Sequence, residues 1–445
     1  MSKARGCGVA VLAVLVVCGV GGFAAFRFGG ASDRRELEAQ LTRAARLGLP
    51  NDFTKIWPAP KHPADNAAPI YTALAKDPHG LSKASSDAAK VGYPESEAER
   101  KAIDAAIAPA AGDLARFEKA AGMRECRFVR KPSIDTLFPE YAVMKGGVSL
   151  LGYRARREAS AGDPLSAMRT LDTGAKVSAQ VGGEAVLIAK LVQIATEAIV
   201  LRAAQEILAD YGKRSDVRAA ARKVLADLGP APSIKDGMKC EWAFQRLGAE
   251  GMANGSVALN MVSGLSGEGE NSGSNVEGAM FGLMMKTPAG RAKQELNAAR
   301  TFLDYYEGMP EDATEVAQAR AASRNIDATL AKGGVELTLA KILMPVFGQA
   351  NDAAAKAVAE RRAFAALLTA LDSPVPPKWL PVKGTAALDP FTDDRLIYHA
   401  SPKEIRIWSV GPDGTDDGGL IKNTEGASDV TVLWPYPKTR PKAKR

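Results

Sequence analysis

Histidine is nearly missing from this chain, with three in 445 residues, and cysteine is hardly commoner, with four. Zinc sites need such ligands grouped at short spacing, and neither Cys126 nor Cys240 has a second ligand placed that way. The His-Glu-x-x-His metal pair, the Gly-x-Ser-x-Gly nucleophile turn and the phosphate-cradling Gly-x-x-x-x-Gly-Lys loop are all absent. His62 and His79 flank Asp65 and Asp77, the one grouping with acid/base or metal character, but both histidines fall in proline-rich loops. No conventional catalytic signature is left.

A basic face is also lacking. The formal charge is +7, yet Lys3 and Arg5 at one end and Lys438, Arg440, Lys442, Lys444 and Arg445 at the other supply seven positive charges and no negative ones. The body between is formally neutral, which argues against nucleic-acid binding. The basic tail reads as a solvated end, with a weak contact to anionic lipid or envelope polymer as the alternative.

What the chain does have is a long apolar run. From Cys7 to Phe26 there is no charge for 20 residues, enough as a helix for about 30 Å, one membrane thickness. It reads as an uncleaved signal anchor (residues 1–31), with a cleavable secretory signal as the competing reading. Either places the bulk of the chain outside the cytoplasmic membrane, attached as a single-pass protein in the first case. There Cys126 and Cys240 have the setting to pair, adding about 4–5 kcal/mol by closing a long loop. Two separate buried thiols are the alternative.

The rest is mainly α. A helix capped by Ser32 or Asp33 and a proline-rich connector fill residues 32–64, and a helical domain follows over 65–254, opened by Asp65 or Asn66. Its helices are expected near 96–121, 135–161, 164–181, 184–211 and 215–228. The "AGDPLSA" corner at Ala161–Ala167 resembles the joint of tetratricopeptide-like arrays, with Asp163 as cap and Pro164 in the first turn, although no repeat of about 34 residues is evident. An irregular antiparallel helical stack is the expectation. Residues 255–285 read as a Gly/Ser-rich loop, either a lid or an inter-helical connection. Helices resume over 286–380, at 289–307, 311–331 and 335–371, the last kinked at Pro345.

From residue 381 to 437 the pattern changes to a small β-rich cap, with "RLIYH", "EIRIW" and "VTVLW" as strands and 438–445 as the basic tail. Between two strands lies "GPDGTDDGG". Calcium needs six to eight oxygens, and a tight turn supplies them when glycines let backbone carbonyls fold in beside carboxylates. Asp413, Asp416 and Asp417 are interleaved with Gly411, Gly414, Gly418 and Gly419 in that manner. Read as an EF-hand from Asp413 the loop fails at position three (Thr415) and twelve (Thr424). A plain turn whose aspartates face water or accept backbone N–H groups is the alternative.

Residues Asp389 to Pro435 resemble the C-terminal segment of the major pseudopilins of type II secretion. That resemblance implies one calcium ion held by the Val410 carbonyl and by Asp413, Thr415 and Asp429, with Asp416 and Asp417 as neighbouring alternatives. The N-terminus departs from the pseudopilin pattern, lacking the Gly-Phe-Thr-x-x-x-Glu cleavage site. More broadly, the anchor, the "DNAAPIY" helix start, the "RARREASAGDPLSAMRTL" hairpin and the closing segment are similar to uncharacterised signal-anchored helical proteins of planctomycete-like bacteria. The expected function is a non-enzymatic, membrane-anchored extracytoplasmic scaffold for another envelope protein, with a calcium-binding loop. An envelope hydrolase with a carboxylate site in the helical groove and an accessory of a pseudopilin-type secretion system are the alternatives.

Overall fold

The computed structural model describes residues 30–52, 55–77, 79–130, 133, 136–254, 280–282, 284–344, 347–420 and 428–438. The apolar run at 7–26 and most of the expected loop at 255–285 lie outside them. Among the described residues no helix is long and apolar enough to cross a membrane.

The molecule is mainly helical, with one small sheet. In chain order α1 (Ala31–Arg46) is followed by four short helices, α2 (Ala68–Leu74), α3 (His79–Ala89), α4 (Glu97–Ile107) and α5 (Ala111–Ala121). A single helix was expected over 96–121. Pro109 interrupts it, because proline has no N–H to donate and crowds the preceding turn, and a 3-10 turn at Ala108–Ala110 joins the two pieces. Ser96 and Glu99 form a full capping box at the start of α4.

The centre of the stack is α6 (Pro139–Ser160), α7 (Pro164–Gly182) and α8 (Leu187–Tyr211). The α6–α7 corner forms as its sequence directs: the Asp163 side chain accepts the Ser166 N–H at 2.9 Å, and Pro164 occupies the first turn. Small residues bring the helices together. A Cβ at Gly147 would stand 2.4 Å from the Phe117 ring, so α5 and α6 meet only because that position is glycine.

Helix α8 has no separate polar face, and even Lys190, Gln193, Thr196, Glu197, Gln205 and Glu206 are buried, which suits a helix enclosed by others. Its buried acids are each matched by arginine: Glu197 by Arg361, and Glu206 by Arg156. Beyond it come α9 (Ser215–Asp227) and α10 (Ile234–Asn254). A second apolar cluster, centred on Trp242, Leu296 and Phe302, packs α1 and α10 against α11 (Pro288–Gly308) and α12 (Val316–Lys332). The helix expected over 335–371 is divided into α13 (Thr338–Leu343) and α14 (Phe347–Ala370), with Pro345 itself outside the described residues.

Among the described residues three antiparallel strands follow α14, in the order β1 (Ile397–Ala400), β2 (Ile405–Ser409), β3 (Val430–Trp434). Tyr398 faces Ile407, and Ile407 faces Val432. Ile405, Ile407 and Val432 enter the main core beside Phe364 and Leu367 of α14. Trp434 then donates its indole N–H to the Leu208 carbonyl at 2.8 Å, near the C-terminal end of α8. One core therefore holds both the central helices and the cap.

Candidate functional site

Two places carry chemistry. The first is the Asp/Gly loop between β2 and β3. Asp389, 1% exposed, pins its start by accepting from the Ser409 hydroxyl (2.8 Å) and the Val410 N–H (2.9 Å). Gly411, Gly414, Gly418 and Gly419 all have left-handed φ, between 68° and 75°. At Gly411 a Cβ would also lie 2.2 Å from the Ser428 carbonyl oxygen, so glycine is required there twice over.

The aspartates are turned mostly toward the loop's own donors. Asp413 accepts the Ser428 hydroxyl and the Thr415 N–H (3.0 Å), and these bonds lower its pKa. Asp416 accepts the Trp408 indole N–H and the Gly418 N–H, each at 2.9 Å. Asp417 accepts the Ser428 N–H at 2.8 Å. Asp429 is different. It is 6% exposed and accepts the Gly419 N–H through Oδ2 at 2.8 Å, with the Asp417 N–H also lowering its pKa, while its buried Oδ1 has no hydrogen bond of good geometry among the described residues. Burial raises its pKa, and the neighbouring Asp417 and Asp416 carboxylates add to the rise. Arg320 takes the Pro412 carbonyl and Arg406 takes that of Gly418 (3.1 Å).

The fit to a divalent cation is therefore partial. One buried carboxylate oxygen, Asp429 Oδ1, makes no hydrogen bond among the described residues, and three more carboxylates share the loop. Yet among the described residues no three His, Cys, Asp or Glu side chains converge tightly enough to hold a metal. The self-satisfied turn accounts for Asp413, Asp416 and Asp417, but not for Asp429.

The second place was invisible in the sequence. Arg130 lies on an extended strap after α5, with its side chain only 9% exposed. Two of its N–H groups donate to Glu140 Oε2 at 3.2 Å each, and Glu184 stands 3.9 Å away. Its guanidinium also lies over three rings, Phe128 (4.6 Å), Phe138 (4.8 Å) and Tyr141 (5.8 Å). The Tyr141 hydroxyl donates to Glu184. Burial raises the pKa of Glu184, opposed by that hydroxyl and by the Arg130 charge. Arg130 Nε, by contrast, has no acceptor among the described residues.

Asn66 holds the strap in place, accepting the Arg127 N–H at 2.8 Å and donating to the Arg127 carbonyl at 3.0 Å. The same side-chain oxygen accepts the Ala68 N–H at 3.3 Å, but Asn66 is not the cap expected from the sequence: Ala67 holds the N-cap place of α2 and no side chain caps it, because the Asn66 amide is committed to the strap. Between strap and helix opens a cavity of about 350 Å³, walled by Ala68, Pro69, Ala73 and Phe128 and edged by Lys76 and Arg127. A smaller one of about 190 Å³ lies on the other side of Arg127, reaching Trp57, Cys126 and Glu184.

Cys126 and Cys240 do not form the expected disulfide: each is a free thiol. They sit on different elements, Cys126 in the strap and Cys240 in α10, where its N–H donates to the Ala185 carbonyl at 3.1 Å. Burial pushes both thiols far above their ordinary pKa, so neither is poised to react as a thiolate. Next to Cys240, burial raises Glu241 to about 7, with only the Leu187 N–H (3.4 Å) to oppose it.

No family model, curated protein or solved structure matches the chain.

Proposed function

We propose that this protein is a non-enzymatic helical module that docks another envelope protein, held at the outer face of the cytoplasmic membrane by its N-terminal apolar segment. The observation that carries the docking role is the pair Val129 and Leu137, 75% and 79% exposed. Large aliphatic side chains left in water beside a formed cavity mark interaction surfaces. Val129 lines the cavity, and Leu137 is tied to it through the backbone: its carbonyl accepts at 3.4 Å from Arg130, which also lines the cavity.

The cap is the module's brace, and calcium is our proposed ligand for it. Asp429, Asp413, Asp416 and Asp417 would hold the ion, with the Val410 carbonyl and Thr415 as further oxygens. The unpartnered Asp429 Oδ1 supports this reading. A bound calcium supplies positive charge and cross-links the two ends of the loop.

A photo-crosslinking residue placed at position 137 tests the docking role in intact cells. It is expected to trap one discrete partner band, which a second substitution, Val129→Asp, removes. Crosslinks spread evenly over abundant proteins, unchanged by Val129→Asp, would overturn the reading.

A further inference from the structure

The cavity between α2 and the strap combines features that specify a partner's chemistry. Its walls are aliphatic and aromatic, and its volume of about 350 Å³ falls at the lower end of the usual range for ligand pockets, about 300–1,000 Å³. That is room for one aliphatic side chain and the backbone beside it. The only carboxylate on its lining, Glu140, is already engaged by Arg130 and by the Thr72 hydroxyl. Lys76 and Arg127 on the same lining have no carboxylate within ion-pair distance among the described residues. Arg130 adds a buried N–H without an acceptor. The cavity thus offers an apolar floor under uncompensated positive charge.

We infer that it takes an acidic, apolar segment of a partner protein, in which a carboxylate adjoins a medium-sized aliphatic side chain. The aliphatic group fills the space against Ala73 and Phe128, and the carboxylate meets Lys76 and Arg127. Val129 on the cavity's lining is itself largely exposed, and so is Leu137, whose carbonyl bonds Arg130 of the same lining; apolar surface open to water on this side favours an extended chain over a free small molecule. Complementary charge sets the approach and the choice of partner more than the raw affinity. This inference rests on the chain being a docking module and goes further by naming what it docks.

The test uses the full chain in detergent micelles and three probes: a fluorescent peptide of alternating aspartate and leucine, its lysine and leucine counterpart, and vesicles rich in phosphatidylglycerol. Anisotropy is expected to show the acidic peptide bound roughly tenfold more tightly than the basic one, with the preference weakening as salt rises from about 50 to about 300 mM. The double variant Lys76→Glu, Arg127→Glu should lose or reverse that preference. Both side chains lack ion-pair partners among the described residues, so folding should survive, and Val129→Asp provides a second variant that weakens the acidic peptide by removing exposed apolar surface. Equal binding of the two peptides, or binding indifferent to these variants, overturns the inference. If only the basic peptide or the vesicles bind, and through these residues, the partner class falls while the docking role stands. Silence from all three probes overturns both.

Discussion

The Asp/Gly loop and the Arg130 site are both charged, and they are built in opposite ways. The loop concentrates its aspartates and glycines in one stretch and, Asp429 apart, satisfies them locally, with donors such as the Thr415, Gly418 and Ser428 N–H groups. The Arg130 site gathers Asn66, Arg130, Glu140 and Glu184 from separate elements, and its charges are buried against one another. A dense motif is easy to see, yet its density lets it close on itself. The dispersed site leaves a cavity and an unpartnered donor, the features that a ligand would use.

The sharpest way to break this comparison is Arg130→Met. Methionine keeps the apolar contact with Phe128 and Phe138 but removes the cation from Glu140 and Glu184. Leaving buried charge without its partner costs about 3–5 kcal/mol, so denaturant unfolding should show a loss of that order. Adding Glu140→Gln should return part of it, because one of the two buried carboxylates left without the cation is then neutral. A loss below about 1 kcal/mol, the range of exposed ion pairs, would mean that the site is solvated like the loop and that the contrast is false.

A smaller effect concerns Glu241 of α10, which meets the first residue of α8. Its folded pKa of about 7 lies above the unfolded value of about 4.3. The native state therefore holds the proton more tightly, and this contribution to stability is complete below about pH 4.3 and lost as pH rises through about 7. Glu241→Gln carries no such dependence. Compared at pH 5 and pH 8, the variant should gain about 2–3 kcal/mol on the natural protein. A constant difference across that range would show that Glu241 is hydrated in the folded state.

How much of this was legible follows from the range of each interaction. The α6–α7 corner was readable because Gly162, Asp163 and Pro164 act within one turn. The strands were readable from their alternation, and they pair in one antiparallel sheet. The break at Pro109 was missed because alanine periodicity continues on both sides of it. The disulfide was assigned from compartment and cysteine number, which do not fix the distance between two thiols. The Arg130 site could not be read at all. Arginine, glutamate and tyrosine are common in helical proteins, and only the packing of α2 and the strap onto α6 brings these few together.

The smallest effect decides what the loop is for. With a chelator present, Asp429 must keep a buried carboxylate beside Asp416 and Asp417, so Asp429→Asn should be neutral or slightly stabilising. Calcium should reverse the order: binding to the folded state alone raises the midpoint of the natural protein by about 2–5 °C at saturating ion. Neither Asp429→Asn nor Asp413→Ala should rise with it. A crossing of the two curves between chelator and calcium would show that the unpartnered Oδ1 is a ligand position, and that the loop resembles the Arg130 site more than its self-bonded aspartates suggest. Parallel curves would leave it a structural turn, held by Asp389 at its start and by its four left-handed glycines, and the difference between the two regions would be complete.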